Sequence, residues 1–372
     1  MLPPSSVLAP SATPSVVPPP CAFPVAPGIT PFSTRLLPAC RQPALADPDY
    51  WIWCGSPVAD DDGRFHLFAA RWPKSLPFFE GYPLYSEIVR ADASRPEGPY
   101  VMREVVLPDR GEARWDGRMT HNPTVLRHGG KFLLFYIGST FRGTRADAAS
   151  LRAPTAQAQA QVKESYAGIR IGLAVSSSVM GPWIRGDAPI LMPRPGRWDA
   201  SITTNPAPCL APDGSLYLYY RSNTPDGCRL GVSRAEAPRD GNWLGARFER
   251  LCDEPVMRFH DGGTLEDPFV WHNGTCFEML AKDLAGEFTP EYHGGVHGWS
   301  EDGIAWEVAP VAQAYSRTLD WDDGTRGTLG SLERPQLLFQ DGKPTHFFAA
   351  AADGPGGFRN AANTWNLVAP LR

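Results

Sequence analysis

The sequence has no apolar run near the ~20 residues that span a bilayer, no basic stripe and no C-x-x-C pair. The first absence excludes a membrane-spanning helix. The second argues against nucleic acid as a partner, since 35 Lys and Arg stand against 40 Asp and Glu for a net charge of −5. The third removes the usual zinc and redox motifs, so no metal site is expected. The seven cysteines are scattered and read as buried free thiols rather than a disulfide framework. The N-terminus also lacks the basic start and compact apolar stretch of a secretory signal, which points toward an intracellular protein. Residues 1–30 are instead rich in proline among Ser, Ala and Val. They read as a disordered or surface-wrapped extension, followed by one catalytic domain over 31–372.

A five-fold echo fills that domain. A residue followed by proline opens an apolar strand at Ser56-Pro57, Asn122-Pro123, Asn205-Pro206, Asp267-Pro268 and Arg334-Pro335. Each is followed by a Gly-containing turn (DDDG, RHGG, PDG, HNG, QDG) and an aromatic run such as KFLLFYIGS or SLYLYYRSN. Period-2 strands joined by such turns, repeated along the chain, predict an all-β, five-bladed propeller. The fifth repeat runs out of chain, so residues between about 21 and 45 are expected to supply its outer strand and close the ring. The prolines are expected to hold the residues before them in an extended conformation. One Ala- and Gln-rich insertion, residues 141–167, reads equally as a lid over the funnel or a solvated excursion.

A propeller gathers the starts of its inner strands around one funnel. The residues before the prolines, with His121, Thr204, Glu266 and Glu333 one position earlier, should therefore converge. Leaving such groups buried and unpaired costs about 1–3 kcal/mol each, so they must bond to one another, to water or to a ligand. Glu266, Asp267 and Glu333 are the candidate catalytic carboxylates. Glu266 is read as general acid, with Glu333 or Asp267 as base or tuner. Neighbours on a strand point opposite ways, so Glu266 and Asp267 share the funnel only if the strand start is irregular. His121 is a candidate acid or base. Asn122, Asn205 and Arg334 are candidates to hold substrate hydroxyls or a carboxylate. A second repeat, RWDGRMTHNP and RWDASITTNP at an offset of 83, offers Asp116 and Asp199. It also offers Trp115 and Trp198 which, with Trp53 and Trp72, are candidate walls for a sugar ring. The alternative for that repeat is a structural corner.

The x-Pro strand, DG turn, aromatic strand and GPW turn resemble the five-bladed glycosidases of glycoside hydrolase family 43 and its relatives in families 32, 62, 68 and 117. NPTVLRHGGKFLLFYIGS, RIGLAVSSSVMGPW and LEDPFVWHNG carry the resemblance over roughly residues 50–370. It implies hydrolysis of an oligosaccharide or glycoside from its end, with a furanoside, deoxy sugar or acidic sugar in the funnel. It also implies an Asp on each of the first two blades and a Glu on the third. Ser56, Asn122 and Asn205 stand there instead, and the carboxylates have moved to blades four and five. The site therefore reads as a divergent hydrolase. A lyase or transferase on the same scaffold, with a base such as His121 for elimination, and a non-catalytic sugar-binding propeller are the rival classes. No organic cofactor is expected; calcium and water are both compatible with the funnel floor.

Overall fold

The computed structural model describes residues 28–257 and 264–372, so most of the proline-rich extension lies outside the described residues. Blade one comprises β2 (Tyr50–Ala59), β3 (Phe65–Pro73), β4 (Glu87–Ala93) and β5 (Val101–Val105), after a short β1 (Leu45–Ala46). Blade two is β6 (Met119–His128), β7 (Lys131–Ser139), β8 (Arg170–Ser176) and β9 (Ile184–Arg185). Blade three is β10 (Thr204–Leu210), β11 (Leu216–Thr224), β12 (Gly227–Ala235) and β13 (Glu249–Arg250). Blade four is β14 (Leu265–His272), β15 (Phe277–Asp283), β16 (Gly295–Ser300) and β17 (Glu307–Tyr315). A small hairpin, β18 (Thr318–Asp320) with β19 (Arg326–Thr328), leads to blade five: β20 (Ser331–Gln340), β21 (Lys343–Ala352) and β22 (Thr364–Pro370). The inner strands β2, β6, β10, β14 and β20 touch in cyclic order around one axis.

The turn chemistry follows the sequence reading. Gly63, Gly130, Gly214, Gly274 and Gly342 all have positive φ, and nothing lies within 4 Å of where a Cβ would stand. These glycines serve backbone conformation rather than space. Ring closure also follows. Leu36 bridges Leu371, the Cys40 and Ala44 amides donate to the Val368 and Asn366 carbonyls, and β1 pairs antiparallel with β22. Residues 36–46 thus form the outer edge of blade five, covering the edge an open ring would expose. Arg35 anchors this segment on the buried Glu278 of blade four, 2.8 Å away.

The insertion departs most from regular blade structure. It forms α2 (Ala148–Arg152) and α3 (Ala156–Ala167), capped by Asp147 and Thr155, whose side chains accept from the Ser150 and Ala158 amides. α3 packs on α1 (Phe78–Tyr85), which leaves blade one at the equivalent point between second and third strands. Two neighbouring blades thereby raise one helical wall at the funnel mouth. Among the described residues no helix is long and apolar enough to cross a membrane.

Candidate functional site

The prolines do not hold their predecessors extended. Asn122, Asn205, Asp267 and Arg334 all lie in the left-handed region, with φ of 50°, 52°, 56° and 55°. The pairing register shifts at each of these points. Such a bulge re-aims side chains. It makes the strand start irregular and turns Glu266 and Asp267 into one cavity, and likewise Glu333 with Arg334 and His121 with Asn122. Left-handed non-glycine residues cost of order 1–3 kcal/mol each and concentrate at functional sites.

Blade one has the same bulge two residues earlier than Ser56-Pro57 suggests. Cys54 has φ 57° and the register shifts between Trp53 and Ser56, so Gly55 stands where the other blades carry proline. A Cβ at Gly55 would lie 2.3 Å from Asn366 Oδ1, which accepts the Gly55 amide. Ser56 is therefore not in the ring. It lies below it, donating to Gln336 Oε1 at 3.2 Å and accepting the Val125 amide.

The five left-handed residues form a chain of contacts around the axis. Cys54 Sγ donates to Asn122 Oδ1 (2.7 Å), Asn122 Nδ2 to Asn205 Oδ1 (3.2 Å), and Asn205 Nδ2 to Asp267 Oδ1. The Arg334 amide donates to Asp267 Oδ2 at 3.2 Å, and its guanidinium lies 3.6 Å from Asp267 Oδ1. That guanidinium is 2 % exposed, and none of its nitrogens has a hydrogen-bond partner among the described residues.

Above the ring sit the catalytic candidates. One oxygen each from Glu266, Asp267 and Glu333 lie within 4.8 Å of one another. That spacing would suit a cation, but Lys282 Nζ already bridges Glu333 Oε1 (2.6 Å) and Glu266 Oε1 (3.3 Å). Arg221 donates to Glu266 Oε2 at 2.6 Å. Burial pushes the Glu266 carboxyl up, yet Lys282 and Arg221 outweigh it and hold it down at about 2. Burial and the Glu266 charge push Asp267 above its ordinary range against Arg334 and Lys282. Burial also raises Glu333; Lys282 opposes this, and the charges of Glu266 and Asp267 reinforce it. Three crowded carboxylates raise one another, and Glu266 meets two contact cations, Lys282 and Arg221, where Glu333 meets Lys282. These directions favour Glu266 as the ionised member of the group and Glu333 as the one that carries a proton. Asp267 is committed as an acceptor at both oxygens by N–H donors, whereas Glu333 Oε2 accepts from none of the described residues and is free to carry a proton.

His121 is buried against Tyr82 and Trp72, with ring centroids 4.9 and 5.6 Å away. Burial, then Arg334, lowers its pKa to about 3, so it is neutral. Ser86 Oγ contacts the Thr120 carbonyl and lies 2.8 Å from His121 Nδ1. In the tautomer in which Nδ1 donates to Ser86, Nε2 is bare and 3.7 Å from Cys54 Sγ. His121 can accept a proton or a hydrogen bond but is not an acid.

Trp53 and Trp72 line the cavity, although Trp72 is fully buried behind Phe78. The tandem RWD repeat does not reach it. Asp116 accepts from Arg110, Tyr136 and Arg185; Asp199 accepts from Arg194, Tyr220 and Arg250. Trp115 and Trp198 stack on those tyrosines at 6.0 and 5.9 Å. Both are structural corners between strands, and their Asp and Trp are not placed to bind substrate. Asp116→Ala is expected to lower stability by about 3–5 kcal/mol, as loss of a buried ion-pair partner does. kcat of the folded fraction should stay unchanged, as denaturant titration and active-site-normalised rates will report.

The rim is built instead by Phe78, Phe79, Tyr82, Tyr166 and Phe358, all half-buried. Sequence reasoning missed these, and also Lys282 and Arg221. Both cations end apolar second strands and pair across the ladder with Glu266 and Thr204; a charge closing an aromatic run was the available signal. His293 is half-buried near Lys282 and Glu266, and burial lowers it to about 4. His297 bonds the buried Glu278. Cys40, Cys54, Cys209, Cys228 and Cys276 are free thiols.

No family model matches the sequence, and no curated protein is similar to it at sequence level. Solved structures are similar in fold. A complex of BT0996 with RGII superposes with a TM-score of 0.62 at 14% identity, covering 91% of this protein and 93% of that one. Zg3597, a family 117 glycoside hydrolase of the marine bacterium Zobellia galactanivorans, gives 0.58 at 15%, covering 91% and 88%. A thermostable family-43 glycoside hydrolase gives 0.56 at 12%, covering 88% and 93%. The protein thus shares the five-bladed β-propeller fold of the family 43 and family 117 glycoside hydrolases.

Proposed function

We propose that the protein is a glycoside hydrolase that releases a terminal sugar, with Glu266 and Glu333 as its catalytic pair. The observation that carries this reading is the divided state of two adjacent carboxyls, one held ionised by Lys282 and Arg221, the other raised by burial and its neighbours. A glycosidase needs such an acid and such a carboxylate across the scissile bond. The small cavity, about 140 Å³ above the ring of contacts that runs from Cys54 to Arg334, supports action on a single terminal sugar. A furanoside, deoxy sugar or acidic sugar fits the small polar cavity, with Asn122, Asn205 and Arg334 facing it.

In the first step Glu266 attacks the anomeric carbon while Glu333 gives its proton to the departing oxygen. Lys282, already in contact with Glu333, stabilises the carboxylate left behind. Water, deprotonated by Glu333, then displaces Glu266. Glu266 and Glu333 share the Lys282 ammonium, a closeness that favours retention over the ~6.5–9.5 Å separation that admits a water between the carboxyls. Proton NMR of the first-formed sugar should therefore show the anomer of the substrate; the opposite anomer would exclude this pair.

The pH dependence follows from the same groups. Glu266 must be ionised, so kcat/KM should hold down to its pKa of about 2. Glu333 must be protonated, so activity should fall on the alkaline side at a pKa above the ordinary 4.5. The alkaline limb should persist in His121→Asn, because His121 is neutral above about 3. Loss of an unsaturated product in that variant would favour the second reading, elimination with His121 Nε2 as base, whose own limb would lie on the acid side.

A further inference from the structure

Outside the funnel, α1, α2 and α3 enclose a second hollow of 460 Å³ against 140 Å³ for the cavity. Its floor is Leu151, Pro154, Ala158 and Val162. The polar side chains that reach it, Glu80, Gln159 and Lys163, include two that are exposed at its edge. Phe79 and Tyr166 line both spaces and form the partition between them. Tyr166 is tied to the catalytic side. Its hydroxyl accepts from Asn223 Nδ2 at 3.2 Å, and Asn223 lies two residues along β11 from Arg221, the partner of Glu266.

We infer that this groove holds the leaving group, and that the leaving group is an apolar aglycone of aryl or alkyl type. The inference rests on the glycosidase reading. A sugar bound above the ring of contacts from Cys54 to Arg334 meets that ring on one side, so the group attached to its anomeric oxygen leaves past the rim. On the α1–α3 side that path runs over Phe79 and Tyr166 into the groove. A second sugar would carry hydroxyls onto a floor of aliphatic side chains, and each hydroxyl buried without a partner is penalised. An aryl or alkyl group loses nothing there and gains the burial of its own surface. The three helices that build the groove are additions between equivalent strands of consecutive blades, so the fold itself does not require them.

The test uses paired 4-nitrophenyl and methyl glycosides of the sugar the wild type hydrolyses, with the wild type and Val162→Glu. Val162 is half-buried on α3 and touches no catalytic group. Val162→Glu should raise KM for the nitrophenyl glycoside at least tenfold and leave the methyl glycoside unchanged. Equal changes on both, or none on either, would overturn the inference. If no glycoside is cleaved, the glycosidase reading falls, and 4-nitrophenol titrated into methyl-labelled protein judges the groove alone. Shifts confined to the Leu151, Ala158 and Val162 methyls would support an apolar ligand site; unmoved methyls would refute it.

Discussion

Glu333→Gln is expected to lower kcat by about 10²–10⁴-fold, the usual contribution of a positioned general acid. The change removes one proton and little else. Gln retains an oxygen to accept from Lys282, whose Nζ lies 2.6 Å from Glu333 Oε1, so the fold should be kept. The loss should depend on the leaving group. A 2,4-dinitrophenolate departs without a proton, and such a glycoside should recover most of the first-step rate. Glu266→Gln should be equally slow and not recover, because a missing nucleophile is not replaced by a better leaving group. Leaving-group series on the two variants separate these roles. Recovery in Glu266→Gln rather than Glu333→Gln would exchange the assignments, and full turnover in both would remove the carboxylates from the chemistry.

Lys282→Met should be the most destabilising single change at the site, by about 3–5 kcal/mol at neutral pH. Lys282 is 2 % exposed and holds Glu266 and Glu333 together. Without it the two carboxylates face each other in a buried space with Arg221 as the remaining contact cation on Glu266. Both folded-state pKa values then rise. A raised carboxyl contributes stability that is present below its unfolded pKa and lost as pH rises through its folded one. In the wild type Glu266 has the opposite sign: its depressed pKa stabilises above the ordinary 4.5 and is lost as pH falls toward about 2. The variant's deficit should therefore shrink on acidification from pH 7 to pH 4. Urea unfolding at the two pH values measures it, and an equal deficit at both would show that Lys282 contributes packing rather than charge.

The ring was legible in the sequence because a proline follows four of its five members, and proline is rare enough at strand starts to reveal a repeat. Its conformation was not. Proline alone implies an extended neighbour, while Asn122, Asn205, Asp267 and Arg334 are left-handed, a choice forced by the ring they make together. Blade one was read two residues late because Gly55 replaces the proline, and its need for space is visible only against Asn366 on the last strand. Lys282 and Arg221 escaped for a similar reason. Their meaning comes from pairing across β14–β15 and from packing between blades three and four, neither of which is local. The RWD repeat misled in the other direction. Asp116 and Asp199 look like site residues in one dimension, and their saturation by Arg185 and Arg250, 69 and 51 positions away, exists only in three. The roles proposed for Glu266 and Glu333 were likewise beyond reach, since two identical side chains differ here only in which cations they meet.

On the proposed mechanism these two carboxyls add water across a glycosidic bond. The most direct test of this is mass spectrometry of the products from an aryl glycoside and oligosaccharide panel incubated in oxygen-18 water, with the wild type and the Glu266→Gln, Glu333→Gln double variant in parallel. The account predicts a reducing sugar carrying one heavy oxygen from the wild type and no product from the double variant. An unlabelled unsaturated sugar, or the same labelled sugar from the double variant, would contradict it.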